Sequence, residues 1–339
     1  MRALSTLLLL STTVAAADWF PVNLLVDGQA QPYRPLAAAS QPWRICALLP
    51  QGKDRYWWGV AWGLAEEARR QGVQLGIYEA GGYQYAAMQR AQLSRCRQLG
   101  ADAVVLASID LNGLCPDIDP LRQGGVPVID LINRTECAGV RAHSRNDFGL
   151  MVKAAFAYIR RHSGERPVRI GWLPGPADAG WVMDGERGLT EALVGSRASL
   201  VDGGHGPADR ATQARLVREL LARAPDLDYL LANAEAADFA AQLIARGGKP
   251  GPWVVAIYAN ERVLEAIGSG RILAAPTDSP VLQARVAVDL AVRALEGQPL
   301  PTLVSPPVEM LDRDSLAGFD RRRLSHPDGQ WMIRQPLPE

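Results

Sequence analysis

Ile45-Cys46-Ala47-Leu48-Leu49-Pro50 runs almost directly into Lys53-Asp54-Arg55-Tyr56-Trp57-Trp58. So short an unbroken apolar run, bounded by Pro and Gly, predicts a strand buried on both faces. After the polar turn, Val60, Leu64 and Ala68 recur at helical spacing, and Glu66, Glu67, Arg69 and Arg70 fall on the other face. The unit is strand, loop, helix. In an open parallel sheet, ligands bind outside the carboxyl ends of the strands. Tyr56 and Trp57 stand at such an end and are candidates for a binding wall, whereas Trp58 and Trp62 are expected to pack as core lids. Asp54 is placed to cap the helix.

The same alternation continues down the chain. Strands are predicted at residues 44–49, 74–79, 103–107, 126–132, 168–173, 198–202, 229–232, 253–257 and 272–275, with helices between most of them. Gly72 and Gly100 fall just past helices, where glycine ends a helix at little cost. This pattern gives an α/β protein of two doubly wound, Rossmann-like lobes with a ligand cleft between them. The expected first lobe comprises residues 43–147 plus 277–306. The second comprises residues 148–276 plus 307–339, including a polar tail. An irregular leader, residues 18–42, precedes both.

At the N-terminus, Arg2, an apolar stretch over residues 4–14 and Ala15-Ala16-Ala17 form a secretory signal peptide cut after Ala17. The stretch is too short to span a bilayer, so the mature chain is expected to be exported to the periplasm. With 36 basic and 36 acidic residues the chain carries no net charge, which argues against a nucleic-acid or polybasic membrane partner. Cys46, Cys96, Cys115 and Cys137 permit two disulfides in any of three pairings. Cys115 and Cys137 flank one short segment, and Cys46 and Cys96 fall on a strand and a helix of one lobe, so that pairing is favoured. No cysteine spacing suits a metal, and His143, His162, His205 and His326 are scattered. There is no nucleophile elbow, zinc helix or P-loop. The chain is read as a binding protein without metal or cofactor, not an enzyme.

The residues after each strand form the candidate site. They include Asp54, Tyr56 and Trp57; Gly81-Gly82-Tyr83; Ser108 and Asp110; and Asn133. In the second half come Asp178 and Trp181, Asn233 and Glu235, Tyr258 and Asn260, and Asp278. These loops would line one cleft.

The two-lobe pattern, with Asn146-Asp147-Phe148-Gly149 opening a helix, resembles the type 1 periplasmic binding proteins. Lys53-Asp54-Arg55-Tyr56-Trp57, Glu79-Ala80-Gly81-Gly82-Tyr83, Pro174-Gly175-Pro176 with Asp178-Ala179-Gly180, and Ser305-Pro306-Pro307 are similar to the trimethylamine N-oxide sensors within that family. Cys46 and Cys96 also fall where those sensors have cysteines. The resemblance spans about residues 43–307. It implies a small-molecule ligand, trimethylamine N-oxide or a related methylamine, and a membrane sensor histidine kinase as partner. The alternative it leaves is the solute-binding subunit of a sugar-type importer. By resemblance, Tyr56, Trp57 and Tyr258 would hold the methylated cation, and Tyr83 would donate to the N-oxide oxygen. Asp54 or Asp278 would orient the tyrosines. Where those sensors carry a further cage aromatic, this chain reads His143-Ser144-Arg145-Asn146. That places Arg145 or Ser144 at the site and leaves Trp181 to supply the missing wall.

Overall fold

The computed structural model describes residues 19–248, 250–329 and 333–338; the expected signal peptide lies outside them. The first lobe holds strands β1 (Val22–Val26), β2 (Gln29–Tyr33), β3 (Arg44–Leu49), β4 (Gln74–Glu79), β5 (Ala103–Leu106), β6 (Val128–Leu131), β7 (Val140–Ser144) and β13 (Leu303–Ser305). They form one sheet in the order β2-β1-β13-β7-β6-β5-β3-β4. The second sheet, in the order β14-β12-β11-β10-β8-β9, uses β8 (Val168–Leu173), β9 (Ala198–Asp202), β10 (Tyr229–Ala232), β11 (Trp253–Ala256), β12 (Ala274–Thr277) and β14 (Glu309–Asp312). Only the β1 pairings and the β12–β14 pairing are antiparallel. Helices α1 (Arg55–Gln71), α2 (Ala86–Gln98), α3 (Cys115–Gln123) and α9 (Pro280–Leu295) flank the first sheet. Helices α4 (Phe148–Ser163), α5 (Gly180–Leu193), α6 (Arg210–Arg223), α7 (Ala234–Gly247) and α8 (Glu261–Gly268) belong to the second.

The opening stretch folds as its composition dictates. From Ile45 to Leu49 every residue of β3 is buried, because helices cover both faces. Asp54 accepts from Tyr56 N at 2.9 Å and caps α1, and Gly72, at φ 77°, ends the helix in the left-handed region. One face of α1 packs on α9 at close range. A Cβ on Gly63 would lie 2.5 Å from the Val281 carbonyl oxygen, so only glycine admits this approach. Both favoured disulfides form, Cys46–Cys96 between β3 and α2, and Cys115–Cys137.

Three features differ from the sequence expectation. Residues 22–33 of the leader are a β-hairpin that joins the first sheet through β13, not irregular chain. Its Tyr33 hydroxyl donates to the buried Asp289 of α9 at 2.5 Å. The tail divides: β14 lies in the second sheet, but Gln335 pairs with Ile77 at the outer edge of β4 in the first lobe, and Leu337 is buried there. Trp62 is buried as expected. Trp58 instead rests half-buried over the loop, its indole N–H donating to the Gly52 carbonyl at 2.8 Å and its ring under the Arg55 guanidinium.

The chain passes between lobes after β7, after β12 and after β13. The crossings are hydrogen-bonded together. Ser305 Oγ donates to the Arg145 carbonyl at 2.6 Å, and Asn146 Nδ2 to the Asp278 carbonyl at 3.4 Å.

Candidate functional site

At the carboxyl ends of both sheets the loops enclose a small, closely lined cavity. It is lined by Gln51, Asp54, Tyr56, Trp57, Tyr83, Ile132 and Asn133 from the first lobe. Phe148, Trp181, Ala208 and Tyr258 line it from the second. Tyr56, Trp57, Phe148 and Trp181 reach the cavity because their helices start there. Tyr56 and Trp57 are in the first turn of α1, Phe148 opens α4, and Trp181 is the second residue of α5. Tyr258 lies two residues past the end of β11, and Tyr83 in the loop after β4.

The rings meet edge to face around the cavity. Tyr56 lies 5.5 Å from Trp57 and 5.4 Å from Tyr258, and Trp181 lies 5.9 Å from Tyr258 and 5.4 Å from Phe148. Tyr83 completes the circuit 6.2 Å from Trp181. These spacings are those of favourable aromatic pairs.

Two carboxylates fix the tyrosines from behind. Tyr56 Oη donates to Asp278 Oδ2 at 2.7 Å, and Tyr258 Oη donates to Asp54 Oδ2 at 2.7 Å. Asn260 Nδ2 donates to the other Asp54 oxygen at 2.9 Å. Asp54 belongs to the first lobe, and Tyr258 and Asn260 to the second, so this carboxylate latches the lobes together. Burial, and then the adjacent carboxylate, holds both tyrosine hydroxyls well above their usual range. They remain donors to these carboxylates, and both rings line the cavity. Burial also raises Asp278 above the usual carboxylate range.

The polar side of the cavity is different. Tyr83 Oη accepts from Asn133 Nδ2 at 3.1 Å, and burial raises this hydroxyl too, so its proton stays available to a ligand oxygen. Trp181 Nε1 is fully buried; it faces the Tyr83 hydroxyl but makes no hydrogen bond of good geometry. A buried indole N–H ordinarily finds an acceptor, and this one belongs to a residue that lines the cavity. The arrangement therefore offers aromatic faces for an apolar or cationic group and N–H and O–H donors for an oxygen.

Of the residues predicted for the site, Asp54, Tyr56, Trp57, Tyr83, Trp181 and Tyr258 come together around the cavity. Asp278 stands one layer behind, through Tyr56. Asp178 does not reach the cavity: it is exposed on the loop before α5, and Ala179 occupies the N-cap position. Arg145 does not line it either. It lies at the end of β7 with its Nε 3.6 Å from the buried Asp130. Phe148, three residues further on, supplies an aromatic to the cavity wall instead. Asp147 caps α4 by accepting from Gly149 N at 2.7 Å, so the first helical residue, not the residue before the cap, turns into the cleft. The Asn146-Asp147 cap was the available signal. Gln51, Ile132 and Ala208 carried none.

Residues 42–321 match the family model described as periplasmic binding proteins and sugar binding domain of LacI family. The chain is 34% identical over 291 residues to the periplasmic protein TorT of Escherichia coli K12, covering 86% of this chain and 84% of the relative. The chain belongs to the TorT family of periplasmic binding proteins. Among solved structures, this TorT-family protein superposes with a TM-score of 0.80 on an ABC transporter solute-binding protein from Bradyrhizobium sp. BTAi1 with bound Bis-Tris. That relative is 36% identical, with 93% of this chain and 98% of the other covered. It superposes with a TM-score of 0.72 on the TorS sensor domain–TorT complex in the presence of TMAO, at 29% identity, covering 80% and 93%.

Proposed function

We propose that the protein is a periplasmic solute-binding sensor that closes on trimethylamine N-oxide, or a related small methylamine, and signals to a membrane histidine kinase of the TorS type. One observation carries the reading: rings from both lobes surround a small cavity that also presents the Trp181 N–H and the Tyr83 hydroxyl, two donors side by side. A trimethylated nitrogen carries positive charge and no N–H. Aromatic faces hold such a group by cation–π attraction, about 0.5–2 kcal/mol per contact depending on desolvation. Trp57, Tyr56, Tyr258 and Phe148 supply the faces. Tyr83 and Trp181 supply donors to the N-oxide oxygen. Asp54 and Asp278, behind the tyrosines, add negative potential close to the cation. Among the described residues no nucleophile, base and orienting group come together at the cavity, and the chain is read as a binder and not a catalyst.

The kinase arm follows from the latch at Asp54. A ligand that favours contacts between the lobes shifts the population towards the closed form, and a partner that distinguishes the two forms reads the ligand. The test is calorimetric titration of the mature protein with trimethylamine N-oxide, other methylamines and a pentose panel, followed by co-elution with the periplasmic domain of a TorS-type kinase. Heat with the N-oxide and ligand-dependent co-elution support the reading. Heat only with a sugar would sink the ligand assignment. The 36% identical importer subunit favours a second reading, delivery of a small solute to a permease. Ligand binding with no kinase association at any ligand concentration would select it.

A further inference from the structure

Ile132 stands one residue past β6, with φ 62°. Its own amide donates to the Ser144 carbonyl of β7 at 3.0 Å, and the next amide, that of Asn133, turns back to the Leu131 carbonyl at 2.6 Å. A hydrogen bond spanning a single left-handed residue is a γ-turn of the rare, strained kind. The other described non-glycine residues at positive φ, Asp27, Glu165 and Ser279, are polar; Ile132 alone among them is branched at Cβ and apolar. Branched side chains suit that region least, and glycine would enter it without steric cost.

Such a residue persists only where its surroundings over-determine it, and here they do. Asn133 is buried, and its Nδ2 donates to the Ser108 carbonyl at 2.7 Å and to Tyr83 Oη at 3.1 Å. Glu136 N donates to the Leu111 carbonyl at 2.9 Å, and Cys137 is bonded to Cys115. From across the cleft, Asp184 of α5 accepts from Arg134 Nε and Nη2, each at 3.2 Å. The turn is thus held within its own lobe and from the other. Ile132 itself is 2% exposed and lines the cavity, where Ala208 is the one other aliphatic lining residue. The rest of the wall is aromatic or polar.

We propose that Ile132 is a specificity-determining residue: the strained turn holds it as a fixed aliphatic stop in the cavity wall, which admits the three methyl groups of a trimethylated N-oxide and excludes longer alkyl groups. The inference rests on the methylamine reading of the cavity and adds to it a limit of size. Aromatic faces recognise the cationic nitrogen and the two donors recognise the oxygen. Both features are present in any tertiary amine oxide, so neither distinguishes methyl from ethyl. An aliphatic stop does. One extra methylene against a wall that cannot yield changes affinity by about ten- to two-hundredfold.

The experiment measures, by calorimetry on the mature protein, the ratio of affinities for trimethylamine N-oxide and triethylamine N-oxide. The wild type should favour the trimethyl compound by about tenfold or more, and Ile132→Ala should lower that ratio by about tenfold. Ile132→Val, which keeps the branch and loses one methyl, should fall between them, and it carries the test if the alanine protein does not fold. A second readout needs no ligand. The urea midpoint of Ile132→Gly should match or exceed that of Ile132→Ala, the reverse of their order on ordinary backbone, because only glycine escapes the left-handed strain. Binding of trimethylamine N-oxide with one and the same ratio in wild type and variants overturns the proposal and leaves the ligand reading standing. A glycine protein less stable than the alanine protein overturns the strained turn. If neither amine oxide gives heat with the wild type or any variant, the ligand reading fails and the size limit fails with it.

Discussion

Tyr258→Phe isolates the bond that crosses the cleft. The substitution keeps the ring and its edge-to-face contact with Tyr56 at 5.4 Å, and removes only the hydroxyl that donates to Asp54 Oδ2 at 2.7 Å. Asp54 keeps its cap bond to Tyr56 N and the bond from Asn260. One lone-pair direction of a fully buried carboxylate is left without a donor. A hydrogen bond to a charged group contributes about 1.5–3 kcal/mol net. The bond joins two lobes, so its loss falls on the closed form and leaves the open form, where water solvates both partners, unaffected. Ligand affinity is coupled to closure, so the dissociation constant should rise by roughly ten- to a hundredfold. Calorimetry gives the constant, and small-angle scattering with and without saturating ligand reports the lobes. A Tyr258→Phe protein that binds with wild-type affinity and closes to the same radius of gyration would refute Asp54 as a latch.

Trp181→Phe should weaken the N-oxide about tenfold, the loss of one hydrogen bond to a charged oxygen, and leave tetramethylammonium, which has no oxygen, unchanged by the same calorimetry. Arg145→Ala should leave ligand affinity at the wild-type value and instead lower stability, measured as the urea midpoint, because Asp130 loses a neighbouring cation. Gly63→Ala places a methyl 2.5 Å from the Val281 oxygen and 2.9 Å from Ala284 Cβ. It should cost about 1–3 kcal/mol of unfolding free energy at an unchanged denaturant slope.

Most of the parallel strands were legible because they are buried on both faces and therefore read as apolar runs, β9 with no buried residue being an exception. All four residues of β5 and of β10 are buried. Strand β7 was not legible. Its Val140-Arg141-Ala142-His143-Ser144 carries two polar side chains, Arg141 and His143, on its less buried face. At β12 the sequence placed the strand two residues early, since Ile272 packs in the core without joining the ladder and Pro276-Thr277 reads as a turn. The leader hairpin left a usable sign. Asp27-Gly28, at φ 50° and 81°, is the dipeptide of a tight hairpin turn between Val26 and Gln29. The polar composition of Gln29-Ala30-Gln31-Pro32 concealed it. In the site, the aromatics at helix starts were visible from spacing. Asp54 and Asp278 were named as orienting groups only by resemblance, and which tyrosine each would hold was not legible, since Asp54 with Tyr258 and Tyr56 with Asp278 are 204 and 222 residues apart. Only the two-lobe closure brings such pairs together.

The last described residues have a consequence for how the protein survives at high concentration. The first sheet ends on one side at β4, a central-type apolar strand whose open edge would present unpaired N–H and carbonyl groups to any extended chain. Gln335 exchanges both backbone hydrogen bonds with Ile77 on that edge, Leu337 packs beside Gly76, and Arg334 pairs with Glu79. At the opposite side the sheet ends in β2, whose Pro32 has no N–H and whose polar side chains face solvent. Each border of the sheet is thus blunted by a different device. A chain shortened by its final half-dozen residues would keep its cavity and its lobes but acquire a sticky margin, and would self-associate through β4 before it lost its fold.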